Sequence, residues 1–508
     1  MVAAGILASR LSGFARSAAV AHFLGNGAIA SAWTAAFRIP NFLQNLFGEG
    51  ALSASFIPAY SRLEARGERE AARALASAVA ALLALVVAAL VAAGVLLTPL
   101  LVDLIAPGFT GETRALTIRL VRIAFPGTGM LVMSAWCLGV LNSHRRFFIS
   151  YAAPVVWNAA IIGAFLAAGG AAPLPRLAEL AMYGAVAGSL LQLLVQLPTV
   201  LALLGGVRAG LGWSTPELHG VVRSFAPIAF ARGVTQVSAF VDTIIASKIA
   251  LSAVASLGYA QLLATLPVSL FGMSVSVAEL PEMARATGTD EEVRGILRAR
   301  LDRALRQVAY FVIPSAVAFA SIGHVLAGLL FESGRFTRAD SITVWSILAA
   351  TSVGLLAATL GRVYSSSYYA LRDTRTPLRF ALIRVGTGLV LAWLLGLFIP
   401  DSLGISRRWA TAGLALGAAL AAWLEFALLR RTMNSRVGRT GVPGSFVLRV
   451  LAASLGAAAA AWGILLGLDA GPKLGGIAVA GTFGATYLFL TYALGLAEAR
   501  ALLGRFSR

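Results

Sequence analysis

Residues 74–97, "ALASAVAALLALVVAALVAAGVLL", run for 24 positions without one ionisable side chain. A helix of that length reaches about 36 Å, more than the about 30 Å hydrocarbon core of a bilayer. Lipid offers no partner to backbone N–H and C=O groups, so the run reads as a spanning helix, which bonds them internally. It is expected within a helix over 74–105. Working outward, apolar runs of the same kind recur along the whole chain. They predict about fourteen helices, near 2–24, 28–60, 74–105, 115–142, 148–169, 178–205, 221–248, 252–281, 302–331, 341–371, 377–399, 409–430, 445–468 and 474–497.

The bulk numbers agree. Of 508 residues 58% are hydrophobic and only 12% charged, against roughly 25% charged in an ordinary soluble protein. Mean hydropathy is +0.83. The fold class expected is an all-α polytopic membrane protein. No basic segment leads into a short apolar core with a cleavage site, so no cleavable signal peptide is expected. The net charge of +19 would suggest nucleic acid in a soluble chain, but no nucleic-acid partner is expected here. Basic residues crowd alternate loops, such as 61–73 with Arg62, Arg66, Arg69 and Arg73. That bias, more than two to one, predicts both termini in the cytoplasm of a bacterial inner membrane and an even number of spans. One cysteine, Cys137, and four scattered histidines leave no disulfide framework and no metal spacing.

The chain also repeats itself. Pro40 corresponds to Pro267, Phe109-Thr110 to Phe336-Thr337, and Arg145 to Arg372, each pair 227 residues apart. The offset shifts the pattern by six helices, an even number, so the halves share one orientation. Two parallel six-helix lobes follow, 1–205 and 206–430, with two further helices and a tail in 431–508. Parallel repeats with a path between them are a transporter plan, worked by alternating access. Pro40, Pro126, Pro227, Pro267 and Pro314 fall within or near spans and are candidate kinks.

Charges inside the spans are the candidate functional groups, because a charge at a helix centre costs roughly 2.5–3.5 kcal/mol on insertion scales. Arg10 and Arg16 sit in the first helix, about 120° apart around its axis. Arg38 lies beside Pro40 in the second, with Glu49 between two glycines further on. A guanidinium fork matches phosphate and carboxylate, so Arg10, Arg16 and Arg38 read as an anion site. The bland alternative is an internal ion pair such as Arg38 with Glu49. Asp242 is the mid-span acid of the seventh helix and a candidate coupling-ion site, the alternative being pairing with Arg232 or Lys248. Glu425 is expected to reach toward Arg430 or a loop. No Walker lysine motif, paired carboxylates or histidine cluster appears, so no enzyme activity and no cofactor is expected. Membrane potential, H+ and Na+ stay open as coupling sources.

Several stretches together resemble the MurJ (MviN) lipid II flippases of the multidrug/oligosaccharidyl-lipid/polysaccharide exporter superfamily. They are "SRLSGFAR" at 9–16, "FRIPNFLQNLFGEGALSASFIPAY" at 37–60, "PGFT" at 107–110, "YAQLLATLP" at 259–267, "LFESGRFT" at 330–337 and "YYALRDTRTP" at 368–377. The resemblance covers nearly the whole chain. It implies export of lipid II, a polyprenyl-pyrophosphate glycan, from a cationic cavity in the first lobe, by a protein working as a monomer among membrane lipids. It implies substrate contacts by Arg10, Arg16 and Arg38, and a lipid-tail groove among the last helices. Ser31, Gln44, Asn45, Leu262 and Thr265 depart from the family pattern at charged positions. The readings left open are therefore export of another polyprenyl-linked glycan or a small cation, or a non-transporting regulatory homologue.

Overall fold

The computed structural model describes residues 2–47, 51–170, 172–206, 216–273, 275, 279, 283, 289–404, 406–468 and 471–506. Helices account for nearly all of them, in two compact units, Met1–Ala255 and Ser256–Arg508.

The first unit holds α1 (Val2–Leu24), α2 (Ala28–Phe47), α3 (Ala51–Ala65), α4 (Arg69–Leu96), α5 (Thr98–Ile105), α6 (Gly111–Ser143), α7 (Phe147–Ala168), α8 (Leu174–Leu204) and α9 (Pro216–Ile249). α4 contains the apolar run quoted above. It buries Leu75, Val79, Leu83 and Val87, four residues apart along one stripe, while Leu85 stays 57% exposed. That is a helix with one face on protein and one left for lipid. The expected helix over 74–105 is instead two, α4 and α5, divided at Leu97. Pro99 has no N–H for the carbonyl of Val95. The Thr98 hydroxyl bonds there instead, at 3.1 Å, and to Gly94 O at 2.6 Å. The helix expected over 28–60 is likewise described as α2 and α3.

α10 (Ala253–Pro267) runs across the division between the units and passes into a π-helical turn over Val268–Met273. The second unit continues with α11 (Asp290–Phe331), α12 (Arg338–Ala370), α13 (Arg375–Trp393), α14 (Arg407–Val437), α15 (Gly444–Gly467), α16 (Pro472–Ala493) and α17 (Ala497–Phe506). α11 starts earlier than its expected 302. Thr289 accepts from Glu292 N while the Glu292 side chain accepts from Thr289 N, and this reciprocal cap extends the helix outward. The helix then kinks at Ile322, where φ is −119°.

Among the described residues eleven helices are long and apolar enough to cross a membrane. α1, α2 and α9 stand outside that set, and they are the helices carrying Arg10, Arg16, Arg38 and Asp242. Fourteen spans are compatible with this architecture.

The repeat is structural. α6 and α12 are each 33 residues long and begin and end 227 residues apart. Phe109 and Phe336 are buried before them, each donating its amide to the residue three back. At their far ends Arg145 and Arg372 adopt φ of 59° and 57°, a left-handed cap geometry. The hydrogen bonds around them correspond one to one. Arg145 N bonds Asn142 O and Arg146 N bonds Leu141 O, as Arg372 N bonds Tyr369 O and Asp373 N bonds Tyr368 O. Packing repeats as well. In the first unit α8 packs on α6 and α7; in the second α14 packs on α12 and α13. Each crossing is closed by a glycine, Gly127 against Val186 and Gly354 against Ala419. The boundary between units falls after α9, which packs on α2, α3, α4 and α5.

Candidate functional site

The charged side chains of the first unit are positioned by α1, α2, α7 and α9. Arg16, half-buried, lies over the ring of Trp157 at 4.9 Å from its centroid. Trp is the best partner for a cation held above a ring. The Trp157 N–H donates to the carbonyl of Ala185 on α8 at 3.0 Å, which fixes the ring plane. One turn before Arg16, Ser12 Oγ accepts from Asn158 Nδ2 at 2.9 Å, so α1 and α7 are held in register.

Trp157 also meets the edge of Phe37, at 6.1 Å between centroids, and Phe37 meets Trp33 at 5.0 Å. Phe37 directly precedes Arg38. An aromatic strip thus runs from Arg16 to the turn of α2 that carries Arg38. Arg38 is half-buried and feels the charge of Asp242 on α9. That charge acts between two helices, α9 and α2. The Arg232 side chain lies outside the described residues, as does Glu49, so the Arg38–Glu49 alternative lies outside them too. Arg10 is exposed on α1.

Ser31, one of the departures from the family pattern, is fully buried. Its Oγ accepts from Ala255 N at 3.1 Å, capping the first turn of α10. Gln44 and Leu262 are half-buried, while Asn45 and Thr265 are exposed. Thr265 gives its hydroxyl to Gln261 O at 2.7 Å.

The second unit contains a cluster that the sequence reading passed over. Glu425 on α14 does not reach toward Arg430. It pairs with Arg384 on α13, Nη1 to Oε2 at 3.2 Å. Arg362 on α12 feels both Arg384 and Glu425. Arg362 and Arg384 each sit well inside an apolar span, a signal that could have flagged them.

These features meet a consistent set of relatives. A family model described as "Lipid II flippase MurJ" matches residues 20–472. A probable lipid II flippase MurJ of Rhizobium tropici is 32% identical over 445 residues, covering 86% of this chain and 80% of that one. The lipid II flippase MurJ of Burkholderia cenocepacia is 29% identical over 434 residues, covering 84% and 82%. Among solved structures, a lipid II flippase MurJ in an inward closed conformation matches with TM-score 0.79 and 22% identity over 99% of both chains. A multidrug MATE transporter of the MOP superfamily, inward-facing, matches with TM-score 0.64 and 16% identity, covering 84% of this chain and 95% of that one. The family model covers most of this chain, and the Rhizobium tropici relative matches over most of both lengths, so this chain belongs to the lipid II flippase MurJ family.

Proposed function

We propose that this protein carries lipid II, or a closely related polyprenyl-pyrophosphate glycan, across the bacterial cytoplasmic membrane by alternating access of its two repeated halves. Family membership supports the substrate class. The observation that carries the site is the aromatic strip Arg16–Trp157–Phe37, which runs from the guanidinium of Arg16 to the turn of α2 that carries Arg38. A pyrophosphate is a compact polyanion, and planar N–H forks bind it in pairs. Arg10 extends the same basic line toward the end of α1.

Asp242 has two tasks in this reading. It neutralises Arg38 between transport events, and it offers a carboxylate for a coupling cation when phosphate takes Arg38 over. Either H+ or Na+ can serve, and the membrane potential adds drive because the substrate is anionic. The arginine-rich loops support a reading with both termini in the cytoplasm, a monomer at work and no catalytic step.

The test is rescue of a bacterium depleted of its essential lipid II flippase, with membrane insertion verified for every variant. Wild type should rescue, Arg16→Ala and Arg38→Ala should not, and Arg10→Ala should lose less. Rescue by all three variants would remove the site assignment. Failure of the inserted wild type would remove the substrate.

A further inference from the structure

Between α2, α4, α5, α6 and α9 of the first unit lies a cavity of about 500 Å³. Every side chain on its wall is apolar. α2 supplies Ile39, Phe42 and Leu43, and α9 supplies Phe240, Val241 and Ile244. Phe42 and Phe240 meet edge to face, with centroids 5.2 Å apart. These two segments are the ones that carry Arg38 and Asp242, so the apolar space adjoins the charged pair. Gly94 is required in the wall, because a Cβ there would stand 2.2 Å from the Phe125 ring. At the rim Leu97 and Leu104 are 51% and 65% exposed.

An apolar space of this size does not attract water. Left empty, it forfeits the dispersion contacts of its lining. Its occupant is therefore a hydrocarbon, and the charges beside it decide which. Phospholipid phosphates lie at the edge of the hydrocarbon core, about 15 Å from its midplane. Arg38 is ten residues into the 20-residue α2, about 15 Å along the helix from its first residue. With the first residue of α2 at the edge of the hydrocarbon core, a head bound at Arg38 sits near the midplane, where the head of a transported lipid passes and that of a bulk phospholipid does not.

We propose that this cavity holds the segment of prenyl chain next to the pyrophosphate of the transported lipid. The inference rests on the flippase reading above. It puts a chain contact in the first unit, apart from the groove among the last helices that the family resemblance implies. Head and first isoprenes would then travel together: phosphate at Arg38, chain between α2 and α9.

The experiment uses the full chain in nanodiscs and two ligands with the same pyrophosphate-linked head, one on a two-isoprene chain and one on a long prenyl chain. Wild type should bind the long-chain ligand about tenfold more tightly or better, since each buried CH₂ contributes. Ala93→Phe, which fills the cavity from α4, should erase that preference and leave short-chain affinity unchanged. A long-chain ligand carrying a diazirine on its first isoprenes should label α4, α5 or α9 in the wild type, independent of any variant's folding. Labelling confined to α15 and α16, or a chain-length preference untouched in folded Ala93→Phe, overturns the inference and leaves the flippase reading standing. Labelling that persists undiminished under a tenfold excess of the unlabelled long-chain ligand overturns it too. If wild type binds neither ligand, the flippase reading itself fails and takes the inference with it.

Discussion

Arg16 shows how an aromatic ring helps to keep a charge inside a membrane protein. Its guanidinium rests on Trp157, and Trp157 is itself fixed by Ala185 O. Trp157→Phe keeps a ring but removes the N–H anchor and part of the π surface. The expected result is a loss of about 1 kcal/mol in stability, read as a lower Tm in detergent, with weaker rescue than wild type. An unchanged Tm would mean that the anchor contributes nothing. Glu425 is a residue of the opposite kind, a carboxylate facing two arginines. Glu425→Gln leaves Arg384 and Arg362 facing each other uncompensated. Breaking a fully buried pair costs about 3–5 kcal/mol. Arg384 is 40% exposed, so screening reduces the expectation to about 1–2 kcal/mol. Arg384→Gln in the same background should restore part of the loss, which a double-mutant cycle measures.

At the scale of elements, the two α6-type helices end in the same cap and meet their partners at the same glycine. Their tolerances should differ. A Cβ on Gly354 would lie 2.4 Å from the Ala419 Cα, a backbone atom, whereas on Gly127 the nearest atom is the Ser189 Oγ at 3.1 Å. Gly354→Ala should therefore lower stability by about 1–3 kcal/mol as the overpacked helices separate, and Gly127→Ala by clearly less. Equal Tm shifts for the two would contradict the crossing described here. The turn that starts α13 offers a signed pH statement. Asp373 accepts from the Thr376 hydroxyl, from the Thr376 and Arg375 amides, and from Arg436. These bonds, the Thr376 hydroxyl foremost, hold its carboxyl down at about 2. A depressed carboxylate contributes fully above its unfolded value near 3.9 and loses the contribution only as pH falls toward 2. Asp373→Ala should thus lower Tm by the same amount at pH 5 and pH 8. A difference between the two pH values would show that the turn depends on some other titrating group.

At the scale of the whole molecule, topology is the property to measure. Cys137 is the chain's single cysteine and is buried, so the natural protein should be silent to a membrane-impermeant thiol reagent. One cysteine placed at Arg66, in an exposed loop, should react only after the cytoplasmic side is opened. One placed at Arg335, between α11 and α12, should react in intact cells. The reverse pattern would invert the proposed orientation, and reaction of both in intact cells would break the alternation of loops.

Much of this molecule is legible from its sequence. Membrane helices follow from length and apolarity, because lipid leaves the backbone only internal hydrogen bonds. The 227-residue repeat survives at a few matching positions, because caps and turns tolerate few residues: Thr110 and Thr337 start helices, and Arg145 and Arg372 end them. Arg16 and Arg38 stand out in sequence because an ionised group in an apolar run needs a reason. What stays hidden is partnership across helices. Nothing in the spacing of α2 and α9 says that Asp242 faces Arg38, and nothing in α14 says that Glu425 turns to α13. The burial of Ser31 against Ala255 is set by a distant neighbour as well. Local sequence determines which segments become helices and where they stop, through backbone bonding within a few residues. Which faces of those helices meet, and so which charges find each other and where an apolar cavity opens beside them, is decided only when the packed units form, because those contacts join residues that the chain keeps far apart.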